Sequence, residues 1–485
     1  MSSVLPSPNI SLSALCLRAA LIVASIAILT CSFDIFLVVQ VGGTFRLCQL
    51  LTLTLLPLAL LQARWKGAVP VLGLYSILLW WFVQALFIPV SSFWPKSAGY
   101  VFWLALNIAL LFSFVQLFSR RQKDVTALMR CYLWSFNLIA VFGIMQFVLP
   151  LLGIDAPLVE QWWLKGRLAR VNGFSYEPSY FATYLLIGFV LAGALRGSPG
   201  YSRLATLTRY LSGTGIVLSS SRMGIVFMLL DVLAHQYRPF ARVCRDLFRL
   251  RVAPARVLRL LPSIFVLLVL ASVGAAFAWV LQTAPQAALL FLNGTGLGDT
   301  ASHSADQRSD ALSDTLTLFV RDPFVGQSLG GISSGIAELH GFSVRSFEDG
   351  KLTEGMSVFA EALAASGIIG VLPFAAFVWS TFWSPLRRAR SVCSEYAWLL
   401  RALVRALVFL WAILQFNQNI LRPYVWVHLA ILATVYAASR RAIEVSERPI
   451  AQIGPPLPGS SEEKTVPSTP PALPGPPIPV AGCPS

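Results

Sequence analysis

The feature that most constrains this chain is a series of long apolar runs separated by short charged segments. Leu260–Leu281, for example, has 22 residues without a charged side chain. About 20 apolar residues in a helix span a bilayer, where only helices and closed barrels satisfy all their backbone hydrogen bonds. Charged residues make up only 12% of the chain, whereas a soluble protein has about 25%. An ordinary soluble globular fold is therefore excluded.

The runs predict an all-α polytopic membrane protein with 12 transmembrane helices. The predicted spans are residues 15–33, 47–63, 68–89, 98–118, 131–151, 179–195, 204–219, 223–238, 260–282, 356–384, 398–416 and 422–438. One large loop, residues 283–355, falls between spans nine and ten. Residues 1–439, including this loop, form the predicted membrane bundle. Residues 440–485 are predicted to be a disordered cytoplasmic tail, because they are rich in proline and lack an apolar face.

The distribution of basic residues predicts the orientation of the bundle. Of the 37 Lys and Arg residues, 24 lie in or beside one set of alternate connections, 11 lie in the other set and two in the tail. By the positive-inside rule, both termini are cytoplasmic and the large loop is outside. This bias accounts for the net charge of +15, so the charge does not indicate nucleic acid. Scattered cysteines and only four His residues also argue against a metal cluster or a disulfide framework.

Basic residues on the outer side are the first candidates for binding. Lys165, Arg167 and Arg170 lie in the outer segment WWLKGRLARVNGFSYEP, and Arg222 lies between spans seven and eight. They could anchor loops to lipid headgroups, with Arg222 snorkelling to the surface. Alternatively they form a site for a phosphorylated substrate, because a guanidinium donates paired hydrogen bonds to phosphate oxygens.

Two residues are candidates for proton transfer. Glu177 precedes Pro178, which suits the first position of a helix. Its carboxylate could serve only an ion pair or the helix dipole, or it could deprotonate an acceptor hydroxyl. His340, in the large loop, titrates near neutral pH, although a lone loop histidine is commonly just a surface residue.

The large loop carries a helical pattern of its own. Residues 306–320 place apolar side chains on one face, and Pro323 ends the predicted helix. Arg308 and Arg321 lie on or beside this helix, and a glycine-rich turn, Gly326–Gly331, follows it. A long outer loop with an amphipathic helix suggests a lid or a substrate-handling element.

Four blocks of the sequence resemble those of a known group, in order and on the predicted outer side. They are RVNGFSYEPSYF (170–181), SSSRMG (219–224), DQRSDALSDTLTLFVRDPFVGQSLGG (306–331) and FAEALAASGIIG (359–370). Together they resemble the O-antigen polymerase and ligase superfamily. The resemblance implies an integral glycosyltransferase at the periplasmic face of the bacterial inner membrane. Such an enzyme uses polyprenyl-diphosphate-linked glycan, with no metal, nucleotide sugar or other cofactor.

The resemblance also implies roles for individual residues. Arg170, Arg222 and Arg308 match the family's functional arginines. Further residues implied to bind diphosphate or glycan are Lys165, Arg167, Arg321, Tyr176 and Tyr180. Either Glu177 or His340 would be the catalytic base.

The leading hypothesis is a polymerase of lipid-linked oligosaccharide repeats, which make O-antigen or exopolysaccharide. An O-antigen ligase, which transfers glycan to lipid A–core, is the alternative within the class. Residues Thr353–Ser357 lack the His-x-His-Asn-like stretch of ligases and so favour a polymerase. A lipid-linked oligosaccharide flippase is the second alternative, disfavoured because the ionisable residues lie at the outer rim rather than at midplane. Expected partners are the bilayer, the lipid-linked glycan, a chain-length regulator and a flippase, with no nucleic acid.

Overall fold

The computed structural model describes residues 12–40, 44–248, 299–344, 346, 349, 353, 355–392, 395–416 and 420–446. The protein is mostly helical. Among the described residues, six helices are long and apolar enough to cross a membrane, and two shorter apolar helices accompany them. The predicted class, a helical membrane protein, therefore agrees with the structure. The ninth predicted span and the first part of the large loop, up to residue 298, lie outside the described residues.

Each predicted span except the ninth overlaps a helix of the described residues, with ends that differ by up to ten residues. The bounds of the helices are α1 Leu12–Leu29, α2 Leu47–Lys66, α3 Leu74–Leu86, α4 Trp94–Phe118, α5 Gln122–Leu151, α6 Pro178–Leu195, α7 Ser202–Ser219, α8 Arg222–Phe248, α9 Asp299–Arg321, α10 Ile332–Leu339, α11 Val358–Ser391, α12 Glu395–Ile413 and α13 Pro423–Ser446. The candidate membrane spans are α2, α4, α5, α6, α11 and α12. The fold also has two short antiparallel hairpins, β1 (Val38–Gln40) with β2 (Thr44–Arg46) and β3 (Gln161–Leu164) with β4 (Leu168–Arg170).

Helix α6 lies at the centre of the bundle. Of its most apolar window, 83% is buried, the highest share among the six candidate spans. It packs against α5, α7, α8 and α12. Glycines permit this close packing, because a Cβ at Gly188 would meet the ring of Phe136 on α5 at 2.5 Å. The first turn of this central helix carries the candidate site.

The connecting segments contact one another in two separate groups. In the first group, Asp34 after α1 pairs with Arg46 before α2 and with Arg422 before α13. In the second, Arg120 after α4 donates to the Gly67 carbonyl after α2, and Gln122 on α5 donates to Glu395 on α12 at 3.2 Å. We call the first group the arginine face and the second the opposite face. The segment before α6 belongs to the first group as well, because the Asp34 amide donates to the Phe174 carbonyl at 2.9 Å.

Helix α11 is broken near its start, and part of the large loop fills the break. Gly367 has φ +58° and ψ −168°, which are not helical. The Gln327 and Ser328 amides donate to the carbonyls of Ala364 and Ala365 at 3.0 and 2.9 Å. The Ile368 amide in turn donates to the Pro323 carbonyl at 2.9 Å. Residues 323–328 therefore supply partners that a broken helix would otherwise lack.

The structure corrects three details of the sequence-based expectation. The loop helix is Asp299–Arg321 and begins seven residues before the predicted start at residue 306. Residues 328–337 of the loop are buried, so this part is a packed element of the bundle and not a free lid. Helix α13 continues to Ser446, past the predicted start of the tail at residue 440, because residues 439–446 extend the helix without a glycine or proline.

Candidate anion-binding site

The β3–β4 hairpin holds Arg170 in place on the arginine face. Arg170 is paired with Gln161 across the hairpin, and its Nη1 donates to Gln161 Oε1 at 2.9 Å. Asn172, two residues after Arg170, is fully buried. Its side-chain amide donates to the carbonyls of Leu158 and Ser175 at 3.0 and 2.6 Å. This buried amide fixes the path of the chain between Arg170 and the start of α6.

Glu177 lies at the beginning of α6, directly after that fixed segment. Its backbone is extended, with φ −127° and ψ 144°, and Pro178 occupies the first helical position. Pro178 suits this position because a first-turn amide has no helical partner to lose. The carboxylate of Glu177 accepts a hydrogen bond from Ser179 Oγ at 2.9 Å, and the side chain is exposed.

Arg222 is presented by the sharp turn between α7 and α8. Ser220 has a left-handed backbone with φ +54°, which ends α7 and reverses the chain. Ser221 Oγ accepts from the Gly224 amide at 3.4 Å at the start of α8. Arg222 is the first residue of α8 and is exposed.

Arg308 reaches the same place from α9. The structure places Arg170, Glu177, Arg222 and Arg308 close enough to interact electrostatically. Burial lowers the pKa of Arg170, and the positive charges of Arg222 and Arg308 lower it further, while Glu177 opposes the shift. Burial likewise lowers the pKa of Arg308, with a further contribution from Arg222.

The four side chains therefore form a positively charged cluster that is open to solvent. Three guanidinium groups face one carboxylate, so the formal charge of the cluster is +2. The positive charge of Arg222 makes the charged forms of Arg170 and Arg308 less favourable and lowers the pKa of each, and Arg308 has the same effect on Arg170. A bound anion with two negative charges would relieve this repulsion. We call Arg170, Glu177, Arg222 and Arg308 the arginine cluster.

The remaining predicted binding residues lie outside the arginine cluster, on the hairpin, on or beside α6 and on α9. Lys165 and Arg167 are exposed at the turn of the β3–β4 hairpin, and Tyr176 is 42% exposed beside Glu177. Tyr180, one turn into α6, is half-buried and interacts electrostatically with Arg308. Arg321 lies at the far end of α9, about 20 Å from Arg308 along the helix axis, and its Nε is 4.0 Å from Asp322 Oδ2.

His340 is placed at the end of α10. Its Nε2 lies 2.8 Å from Asp314 Oδ2 on α9, and its side chain is 52% exposed. Asp314 is six residues, or about 9 Å along the helix axis, beyond Arg308. The structure thus pairs His340 with an acid on the helix that carries Arg308, whereas Glu177 lies within electrostatic range of Arg308 and Arg170.

One part of the arginine face escaped the sequence analysis. Asp34 is 2% exposed and contacts Arg46 Nε at 2.7 Å and Arg422 Nη1 at 2.5 Å. The guanidinium carbon of Arg422 lies 4.0 Å from the centre of the Tyr180 ring. A signal was available, since Arg422 precedes Pro423 at a predicted helix start, as Glu177 precedes Pro178.

Within the ranges that the structure describes, no three His, Cys, Asp or Glu side chains are grouped as a metal site requires. The arginine cluster itself offers three guanidinium groups and one exposed carboxylate. No protein-family model matches the chain, and a comparison with curated proteins likewise finds no match.

Proposed function

We propose that this protein is an integral-membrane glycosyltransferase that polymerises polyprenyl-diphosphate-linked oligosaccharide repeats. The observation that carries the proposal is the convergence of Arg170, Arg222 and Arg308 from three distant segments beside Glu177. These are the residues to which the family resemblance assigned functional roles. A cluster with formal charge +2, on the face predicted to lie in the periplasm, suits a lipid-linked diphosphate.

In this reaction the arginines bind the diphosphate of the donor. A hydroxyl oxygen of the acceptor sugar forms a bond to the donor's anomeric carbon, and the bond from that carbon to the diphosphate oxygen breaks. The electron pair leaves with the diphosphate, whose growing charge the arginines stabilise. The proton of the acceptor hydroxyl passes to a carboxylate or imidazole base.

Glu177 is the better placed base of the two candidates. It starts α6, the most buried of the six candidate membrane spans, and interacts electrostatically with Arg170 and Arg308. A base on a fixed helix start keeps its distance from the diphosphate site, which matters because positioning contributes strongly to rate. His340 follows a short helix in the loop and is held by Asp314. We therefore assign the base to Glu177 and a supporting role on the loop to His340.

The topology belongs to the same proposal. Twelve spans, cytoplasmic termini and a location in the bacterial inner membrane would put the arginine face in the periplasm, where lipid-linked repeats are displayed. A ligase would share the arginine cluster, but the chain lacks the ligase-like histidines at Thr353–Ser357. A flippase is less well supported, because the cluster lies among connecting segments and not midway along the helices.

The experiment compares three variants in a strain that lacks the native gene, with chain-length distribution as the readout. We expect Arg222→Ala to abolish long chains and Arg222→Lys to be impaired almost as much, because lysine keeps the charge but not the paired donors. Arg387→Ala is the matched control, since Arg387 is an exposed arginine at the end of α11 on the opposite face. Normal chains from Arg222→Ala, at equal amounts of protein, would contradict the proposal.

A further inference from the structure

A buried ionic network lies beside the arginine cluster and joins three segments far apart in sequence. Asp34 follows α1, Arg46 precedes α2 and Arg422 precedes α13. The Asp34 carboxylate accepts from Arg46 Nε at 2.7 Å, and its other oxygen lies 2.5 Å from Arg422 Nη1. The amides of Asp34 and Ile35 both donate to the Phe174 carbonyl, at 2.9 and 3.1 Å. The network is thus attached to the segment that leads into Glu177.

Arg422 continues this network to the first turn of α6. It is 7% exposed, and its guanidinium carbon lies 4.0 Å from the centre of the Tyr180 ring. A planar guanidinium over an aromatic face attracts the ring and restricts its rotation. The phenol of Tyr180 also interacts electrostatically with Arg308 of the arginine cluster. Tyr180 therefore lies between a buried arginine fixed by Asp34 and a half-buried arginine that would face substrate.

We propose that Arg422 is a positioning residue, which holds the Tyr180 hydroxyl where it donates a hydrogen bond to the substrate diphosphate. This inference rests on the proposed function, in which Tyr180 is already an implied ligand-binding residue, and adds to it the residue that positions the Tyr180 hydroxyl. Arg422 itself is only 7% exposed, and its Nη1 lies against the Asp34 carboxylate and not toward a ligand site. Its effect on binding must therefore pass through Tyr180.

The protein contains a matched contact that separates positioning from stability. Arg209 on α7 lies 4.2 Å over the ring of Phe189, also on α6, and its Nη1 is 3.2 Å from Asp231 Oδ2. Each arginine thus stacks on an α6 aromatic and pairs with a buried aspartate. Asp231 further accepts from Arg405 at 2.7 Å, away from the arginine cluster. Arg209→Lys should therefore cost as much stability as Arg422→Lys and leave diphosphate binding unchanged.

The test measures the dissociation constant for undecaprenyl diphosphate, with the full chain in lipid nanodiscs. We expect Arg422→Lys and Tyr180→Phe each to weaken diphosphate binding about tenfold. Tyr180→Phe removes the hydroxyl that donates to the diphosphate, and Arg422→Lys removes the guanidinium that holds this hydroxyl in position. The double variant should also be about tenfold weaker, and not about a hundredfold, because Arg422 acts only through Tyr180. Thermal unfolding of all variants provides the comparison with Arg209→Lys.

Each outcome has a definite meaning. The positioning role is supported when Arg422→Lys weakens diphosphate binding in the otherwise unaltered protein but has no further effect in the Tyr180→Phe variant. Arg209→Lys must also leave diphosphate binding unchanged. Unchanged binding by Arg422→Lys, or multiplied effects in the double variant, overturns it even when Arg222→Ala abolishes binding as the proposed function requires. Failure of the unaltered protein to bind the diphosphate overturns the proposed function, and the positioning role with it.

Discussion

The break in α11 gives a prediction whose magnitude follows from the structure. Gly367 has φ +58° and ψ −168°, a backbone conformation essentially restricted to glycine. Alanine there costs about 1–3 kcal/mol in conformational strain. Its Cβ would also overlap the Phe324 carbonyl, and so displace residues 323–328 from α11. Three backbone hydrogen bonds at about 0.5–1.5 kcal/mol each are then weakened. We expect Gly367→Ala to destabilise the protein by about 2.5 kcal/mol at least, and by up to about 7.5 kcal/mol if all three bonds are lost.

Gly200, between α6 and α7, is the matched control. It has φ +89°, and a Cβ there would meet no atom within 4 Å. Gly200→Ala therefore carries only the conformational cost, about 1–2 kcal/mol. The assay is thermal unfolding of both variants in the same detergent, followed by tryptophan fluorescence. Equal unfolding temperatures for the two variants would refute the conclusion that residues 323–328 are anchored in the break of α11.

Three further predictions concern the ionic network, the topology and the base. Asp34→Asn should destabilise the protein by about 3–5 kcal/mol, because it leaves buried guanidinium groups without their partner; a thermal unfolding temperature equal to that of the unaltered protein would contradict this. Reporter fusions at Thr300 and Arg388 should lie on opposite sides of the membrane, as the basic-residue distribution predicts, and a cytoplasmic signal at Thr300 would contradict the periplasmic site. Glu177→Gln should abolish chain extension while undecaprenyl diphosphate still binds, and His340→Ala should reduce extension less; the reverse order in chain-length analysis would assign the base to His340.

The helices were predictable because their signal is local. Apolar runs of membrane length, interrupted at Ser219–Arg222, mark element ends without knowledge of the partner helices. Pro323 likewise marks the end of the amphipathic loop helix. The break at Gly367 was not predictable. A glycine within an apolar run is compatible with a continuous helix. The break depends on hydrogen bonds between α11 and residues 323–328, which the local sequence does not predict.

The candidate site was likewise predictable only in part. Arg170 and Arg222 were identifiable because they are basic residues on the predicted outer side, and Glu177 because it precedes a proline at a predicted helix start. Arg308 was identified through the family resemblance. Arg422 was not singled out, although it also precedes a proline at a predicted helix start. Its importance depends on contacts with Asp34 and Tyr180, hundreds of residues away in sequence, and no local pattern encodes such contacts.

The measurement that tests the central claim most directly is a reconstituted reaction. The purified protein, in nanodiscs without nucleotide sugar, would be mixed with a polyprenyl-diphosphate-linked oligosaccharide repeat, and lipid-linked products would be separated by chain length. We expect dimers and longer chains, with one polyprenyl diphosphate released for every glycosidic bond, and neither product from Arg222→Ala. The account would be contradicted if the substrate stayed intact after incubation with a correctly folded protein, under conditions where undecaprenyl diphosphate binds.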